Sequence, residues 1–217
     1  MNGYETLIAT LALTMGSSWA SGINLYAALL ILGLGGATGN ITLPNELVIL
    51  ENPFVIGAAA VMYLIQFFAD KIPGVDSIWD AAHTFVRIPA GAMLAAGAVG
   101  DVSPALEIAA GILGGGTAAT SHATKTGTRL MINTSPEPVT NWTASISEDL
   151  MVIAGLWTAL HYPILFIILF IGFIGLAIWL LPKLWMLIRE LLMKMARFQK
   201  ITSPSVSTGD SVRQEKK

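Results

Sequence analysis

The stretch from Tyr162 to Pro182, YPILFIILFIGFIGLAIWLLP, runs for 21 residues without a charged side chain. About 20 apolar residues suffice to cross the ~30 Å hydrocarbon core of a bilayer, so this stretch reads as a membrane span. Nearer the N-terminus, residues 6–45 also lack Asp, Glu, Lys and Arg. The chain as a whole agrees: its 217 residues are 54% hydrophobic and 12% charged, with a mean hydropathy of +0.67. Soluble domains carry about 25% charged residues. The composition therefore excludes a soluble enzyme, a nucleic-acid binder and a secreted disulfide scaffold. With no cysteine, disulfides and thiolate chemistry are absent. Met1 to Glu5 lacks the basic region of a cleavable signal peptide, so the first apolar segment is expected to be retained.

Working outward from that span gives six apolar units and an all-α polytopic fold. The first unit, Tyr4–Gly36, has 33 residues and would be about 50 Å long as one helix. It is expected to tilt, break or re-enter, with Gly16 to Gly22 as the break. The second unit, Pro53–Lys71, opens on an Asn52 cap and stops before Pro73. The third, Asp76–Gly100, carries Asp76, Asp80, His83 and Arg87 on one helical stripe, with Pro89 as a kink. The fourth, Pro104–Asn133, is capped by Ser103, and Gly114 to Gly116 is its expected break. The fifth is Ser147–His161. The sixth follows Pro163 and continues past Pro182.

Three domains are expected: a transmembrane part over 1–182, a basic amphipathic interfacial helix over 183–200, and a disordered cytoplasmic tail over 201–217. The order of long glycine-bearing unit, medium helix, proline and long helix occurs twice, over 4–100 and 104–182. That order suggests a 3+3 inverted repeat, an architecture used by transporters.

Charge gives an orientation. Residues 1–182 hold 4 basic and 11 acidic side chains, and residues 183–217 hold 8 and 3. With six spans, the connections near 38–51, 101–103 and 161–163 lack Lys and Arg. The opposite side holds Lys71, Arg129 and the tail residues Lys183, Arg189, Lys194, Arg197, Lys200, Arg213, Lys216 and Lys217. The positive-inside rule then places both termini in the cytoplasm, beneath an inner membrane. Basic residues interleaved with Trp185, Leu187 and Phe198 suit anionic lipid. Assembly as a homo-oligomer stays open.

Ionisable residues near spans are costly and therefore functional candidates. Here they are Asp70, Lys71, Asp76, Asp80, His83, Arg87, Lys125, Arg129, Glu148 and Asp149. Five acids face four bases, which fits either an ion-pair network that staples spans three and four or a hydrophilic vestibule. His122, Lys125 and Arg129 share one helical face and could meet Asp76 and Asp80. Ser145 to Glu148 also fits a capping box. A metal motif, a P-loop and a nucleophile–base constellation are all lacking, so no catalytic residue, metal or cofactor is expected and the chain does not read as an enzyme.

The segments Phe68-Ala69-Asp70-Lys71-Ile72-Pro73-Gly74-Val75-Asp76, Phe85-Val86-Arg87-Ile88-Pro89, Ser121-His122-Ala123-Thr124-Lys125, Asn133-Thr134-Ser135-Pro136 and Ser147-Glu148-Asp149 occur in order. Together they resemble a family of small bacterial membrane proteins known as domain of unknown function 4126. The resemblance implies a bacterial integral membrane protein and no particular activity. The reading is a channel or transporter for an ion or small polar solute. Its path is expected between the two glycine breaks, at Ser17, Ser18, Ser21 and Asn24 on one side and Thr120, Ser121, His122 and Lys125 on the other. The alternatives are a lipid translocase or scramblase, or a structural or assembly protein without transport.

Overall fold

A computed structural model describes residues 3–100, 102–134 and 137–202, the side chains of Pro138, Leu191, Leu192 and 194–202 excepted. Expectations at Asp101, Ser135, Pro136, Lys194, Arg197, Lys200, Arg213, Lys216 and Lys217, and for the tail at 203–217, lie outside what is described. Among the described residues the elements are all helical. They are α1 (Gly3–Ala37), a short 3-10 helix (Asn45–Glu51), α2 (Pro53–Ala69), α3 (Val75–Val99), α4 (Pro104–Ile132), α5 (Pro138–His161) and α6 (Pro163–Thr202).

Local chemistry sets several boundaries. Asn52 accepts a hydrogen bond from Phe54 N ahead of Pro53, and Ser103 accepts one from Leu106 N ahead of Pro104. Each cap satisfies a free N–H, and each proline occupies a position where its missing N–H costs nothing. Gly74 and Gly100 bracket α3 at φ +86° and +69°, backbone angles that favour glycine. The fifth helix begins at Pro138, nine residues before the expected Ser147. Ser145 and Glu148 are therefore mid-helix, and the capping-box reading fails. The stretch 183–200 continues α6 as part of one 40-residue helix with Pro182 inside it.

Helix α1 is the hub, and α2 to α6 all pack against it. Its residues 16–28 are all buried, as expected for a helix that is apolar on every side. One face of α1 builds a core with α5 and α6: Trp19 lies edge-on to Phe166 and Phe173, with ring centroids 6.3 and 6.1 Å away. The other face packs Leu25, Leu32, Leu47, Leu50 and Leu94 together. Helix α6 is more apolar still but turns Ile164, Ile168, Ile171, Ile178 and Trp185 outward.

Helices α1 and α6 are both long and apolar enough to cross a membrane. The 3-10 helix and α2, bent by 66° at their junction, add a third such segment if taken together.

The glycines do not break the helices where the sequence suggests. In α1 the one residue with non-helical backbone angles is Asn24, at φ −146° and ψ 92°. Gly16 and Gly22 are helical and serve contact. A Cβ on Gly16 would meet Ala159 at 2.9 Å, and one on Gly22 would land on Ser121 Oγ and the Ala118 carbonyl. Helix α4 runs unbroken through Gly114 to Gly116. There a Cβ on Gly114 would collide with Ala95 and lie 2.9 Å from the Gly91 carbonyl. Small residues let α3 and α4 approach this closely, as in many membrane helix pairs.

Candidate functional site

The deviation at Asn24 leaves two helix ends inside the protein. Asn24 Oδ1 accepts from Ala27 N at 3.1 Å, so the side chain caps the second half of α1 as an N-cap residue does. Its Nδ2 donates to Asp149 Oδ1 of α5 at 2.8 Å. On the first half, the Ile23 carbonyl accepts from Lys125 Nζ of α4 at 3.1 Å. A cation at the carbonyl end of a helix segment complements its dipole.

Lys125 is the centre of a buried charge network. Besides Ile23, Nζ meets Asp70 Oδ2 at 3.3 Å, Asp80 Oδ1 at 3.4 Å and Glu148 Oε2 at 3.4 Å. Asp80 also takes Arg87 Nη1 at 2.8 Å. Arg87 Nη2 donates to Gln66 Oε1 at 3.1 Å, and Nη1 lies 3.4 Å from His122 Nδ1. His122 Nε2 is 2.7 Å from Thr84 Oγ1.

On the other flank Arg129 holds Glu148 with two parallel bonds, Nε to Oε1 at 2.9 Å and Nη2 to Oε2 at 2.8 Å. This is the bidentate form that fixes both partners. Arg129 Nη1 donates to the Asp70 carbonyl at 3.1 Å and lies 3.8 Å from Asp76 Oδ2. Asn133 Nδ2 donates to both oxygens of Asp76 at 2.9 Å. Lys71 stands apart: its Nζ lies 2.9 Å from the Phe67 ring centroid and donates to the Phe67 carbonyl.

Most of the network is buried, and Glu148, with 13% of its side chain exposed, is its partly open edge. Asp76, Asp80, Arg87 and Arg129 are 0% exposed, Lys125 5% and Asp149 8%. Three buried polar atoms in it have no hydrogen-bond partner: Asp70 Oδ1, Asp80 Oδ2 and Arg87 Nε.

The fold therefore brings Ser21, Asn24, His122 and Lys125 to the network, while Ser121 ties α4 to α1 beside it. Ser21 Oγ donates to the Arg87 carbonyl at 2.8 Å, and Ser121 Oγ to the Trp19 carbonyl at 2.9 Å. Ser17, Ser18 and Thr120 do not reach it. Each donates to its own helix, to Thr14 or Gly116 carbonyls. His83 is half-buried, stacked on Trp79 at 4.1 Å between centroids. With one break in place of two, there is no pair of facing breaks among the described residues.

Sequence reasoning did not single out Gln66, Thr84 and Asn141. Gln66 is the lone amide in the apolar helix α2, and that isolation was the available signal. Asn141, in an Asn-Trp-Thr triplet that could pass for a glycan acceptor, is fully buried and offers its carbonyl oxygens to Arg129. The described residues contain no group of three or more His, Cys, Asp or Glu side chains placed to hold a metal.

The family described as Domain of unknown function (DUF4126) matches residues 11–183, and the chain belongs to it. No curated protein and no solved structure matches the chain.

Proposed function

We propose that this member of the family is a small six-span membrane transporter for an ion or small polar solute, with the α1 break as its moving part. The observation that carries the reading is the junction at Asn24, where both helix ends meet ionisable side chains, Lys125 and Asp149, in the protein interior. Broken helices with such ends near the midplane are how many transporters build their sites. Charges in spans are otherwise costly, and a purely mechanical staple does not need a broken helix. The largely buried network corresponds to a state without through passage, and passage requires the two halves of α1 to move against each other.

The span count of six follows if α3, α4 and α5 cross with their charges turned inward, where the network pairs them. Both termini then lie in the cytoplasm of a bacterial cell, with the basic end of α6 near anionic headgroups.

A second reading, movement of lipid, is favoured by a lateral cavity of about 740 Å³ on α1 and α4. Leu7, Leu11, Met15, Leu106, Leu113 and Phe170 line it, and Ser18 and Gly114 lie at its inner wall. Its lining suits an acyl chain.

Purified protein in liposomes separates the two. Wild type should pass at least one member of a panel of small ions and solutes. Asn24→Leu and His122→Leu, once shown to fold, should lose that flux, and Ser17→Ala should keep it. Wild-type flux no higher than in empty vesicles, together with transbilayer movement of labelled lipid, would overturn the transport reading in favour of lipid handling.

A further inference from the structure

The acids near the α1 break are not alike. Asp70 pairs with Lys125, Asp80 with Lys125 and Arg87, and Asp76 and Glu148 with Arg129. Asp149 is in no ion pair among the described residues. Its hydrogen bonds come from neutral donors, Asn24 Nδ2 of α1 at 2.8 Å and the Tyr63 hydroxyl of α2. It lies mid-way along α5 and is only 8% exposed.

The charges that face Asp149 are engaged elsewhere. Lys125 of α4 is held by Asp70, Asp80 and Glu148. Lys71, after α2, lies over the Phe67 ring, with Nζ 3.5 Å from Ser145 Oγ, one helical turn before Asp149. On α5 itself the neighbour is Glu148, turned to Arg129. Helix α1 brings the Asn24 amide, and α6 has no ionisable residue before Lys183. An acid locked to a cation strands that cation when it takes a proton. Asp149 strands none, and a proton relieves the cost of a buried charge.

The partners of Asp149 give such a proton a structural effect. Asn24 is the residue at which α1 departs from helical geometry. Its amide points one way to the Ala27 N–H and the other way to Asp149. The ionised carboxylate makes the second of these a charge-assisted bond, roughly twice as strong as a neutral one. Protonation turns it into a neutral bond. The new O–H also needs an acceptor, and the Tyr63 oxygen can serve only by giving up its role as donor. A proton on Asp149 therefore loosens the hold of α5 and α2 on the junction.

We infer that Asp149 is a proton-binding site that controls the α1 break, and that a proton is the ion coupled to the movement proposed above. The inference takes that movement from the transport reading and adds the ion that drives it.

Two measurements on the full-length protein test it. The first is an infrared pH titration in proteoliposomes. Wild type should gain a protonated-carboxyl band that Asp149→Asn lacks. The second is the rate at which Ser21→Cys reacts with a water-soluble thiol reagent, taken relative to the exposed Asn40→Cys so that ionisation of the thiol itself cancels. The relative rate should rise about five- to tenfold as pH falls through the same titration, the difference between a charged and a neutral hydrogen bond. Combined with Asp149→Asn, it should be high at every pH. With Asp149→Glu, band and rate should move together along the pH axis.

A carboxyl band unchanged in Asp149→Asn would overturn the inference. So would a relative rate indifferent to pH in wild type, or a wild-type pH profile kept in the Asn variant. If Asp149→Asn cannot be recovered, Asp149→Glu decides, and a band or rate profile unmoved by it overturns the inference. A titrating Asp149 without flux of any solute would sink the transport reading alone and leave the proton site standing. Flux through a protein whose Asp149 does not titrate would do the reverse.

Discussion

Arg129 directs every donor group it has into the protein, two onto Glu148 and one onto the Asp70 and Asn141 carbonyls. A buried pair of this kind adds little over an apolar substitute, but removing one partner strands the other, at about 3–5 kcal/mol. Arg129→Gln and Glu148→Gln should each lower the unfolding free energy in detergent by that order. The double variant should lose less than the sum, with a coupling of about 0.5–3 kcal/mol. Additive losses would mean that the two do not act as a pair. At this scale the sequence was legible where charge and helical spacing coincide. The stripe Asp76, Asp80, His83 and Arg87 and the face His122, Lys125 and Arg129 could be drawn from spacing alone, because a charge in an apolar helix demands a partner; of these His83 stacks on Trp79 outside the charge network. Neutral amides make no such demand. Asn133, which holds Asp76, therefore entered only through the family resemblance, Asn141, which holds Arg129, carried no such signal, and Glu148 was ambiguous because a capping box uses the same letters.

Glycine is where the helices departed from their sequence reading. Absence of a Cβ serves a backbone break and a close helix contact equally well, and only the facing element distinguishes the two. Gly114 faces Ala95 and the Gly91 carbonyl, whereas a Cβ on Gly116, two residues on, would meet nothing within 4 Å. Gly114→Ala should therefore overpack the α3–α4 contact and cost about 1–3 kcal/mol. Gly116→Ala should be neutral or stabilising by up to about 1 kcal/mol, through helix propensity. Thermal unfolding of the two variants side by side checks this, and equal effects would contradict the assignment of Gly114 to contact. The actual break falls on Asn24, whose side chain replaces the backbone partner that Ala27 loses. An internal cap of this sort has no apolar periodicity to announce it, and the sequence offered Asn24 as a polar residue of the expected path but not as the break itself.

Across the whole molecule, two long apolar helices take opposite places. Helix α1 is enclosed by the others, and α6 presents its apolar surface outward. Hydropathy marks both as spans, but it cannot tell an enclosed helix from a lipid-facing one. What places α1 inside is the set of partners its polar residues find on α3, α4 and α5. The account requires that this enclosed junction open to water during a working cycle. Ser21 is fully buried beside the network, and the chain has no native cysteine, so one introduced thiol reports alone. The decisive measurement is modification of Ser21→Cys by a water-soluble methanethiosulfonate in proteoliposomes, with the exposed Asn40→Cys and the apolar-core Ala159→Cys for comparison. The account predicts slow but complete reaction at position 21, rapid reaction at 40 and none at 159. No reaction at 21, or equal reaction at 21 and 159, would contradict an opening at the α1 break.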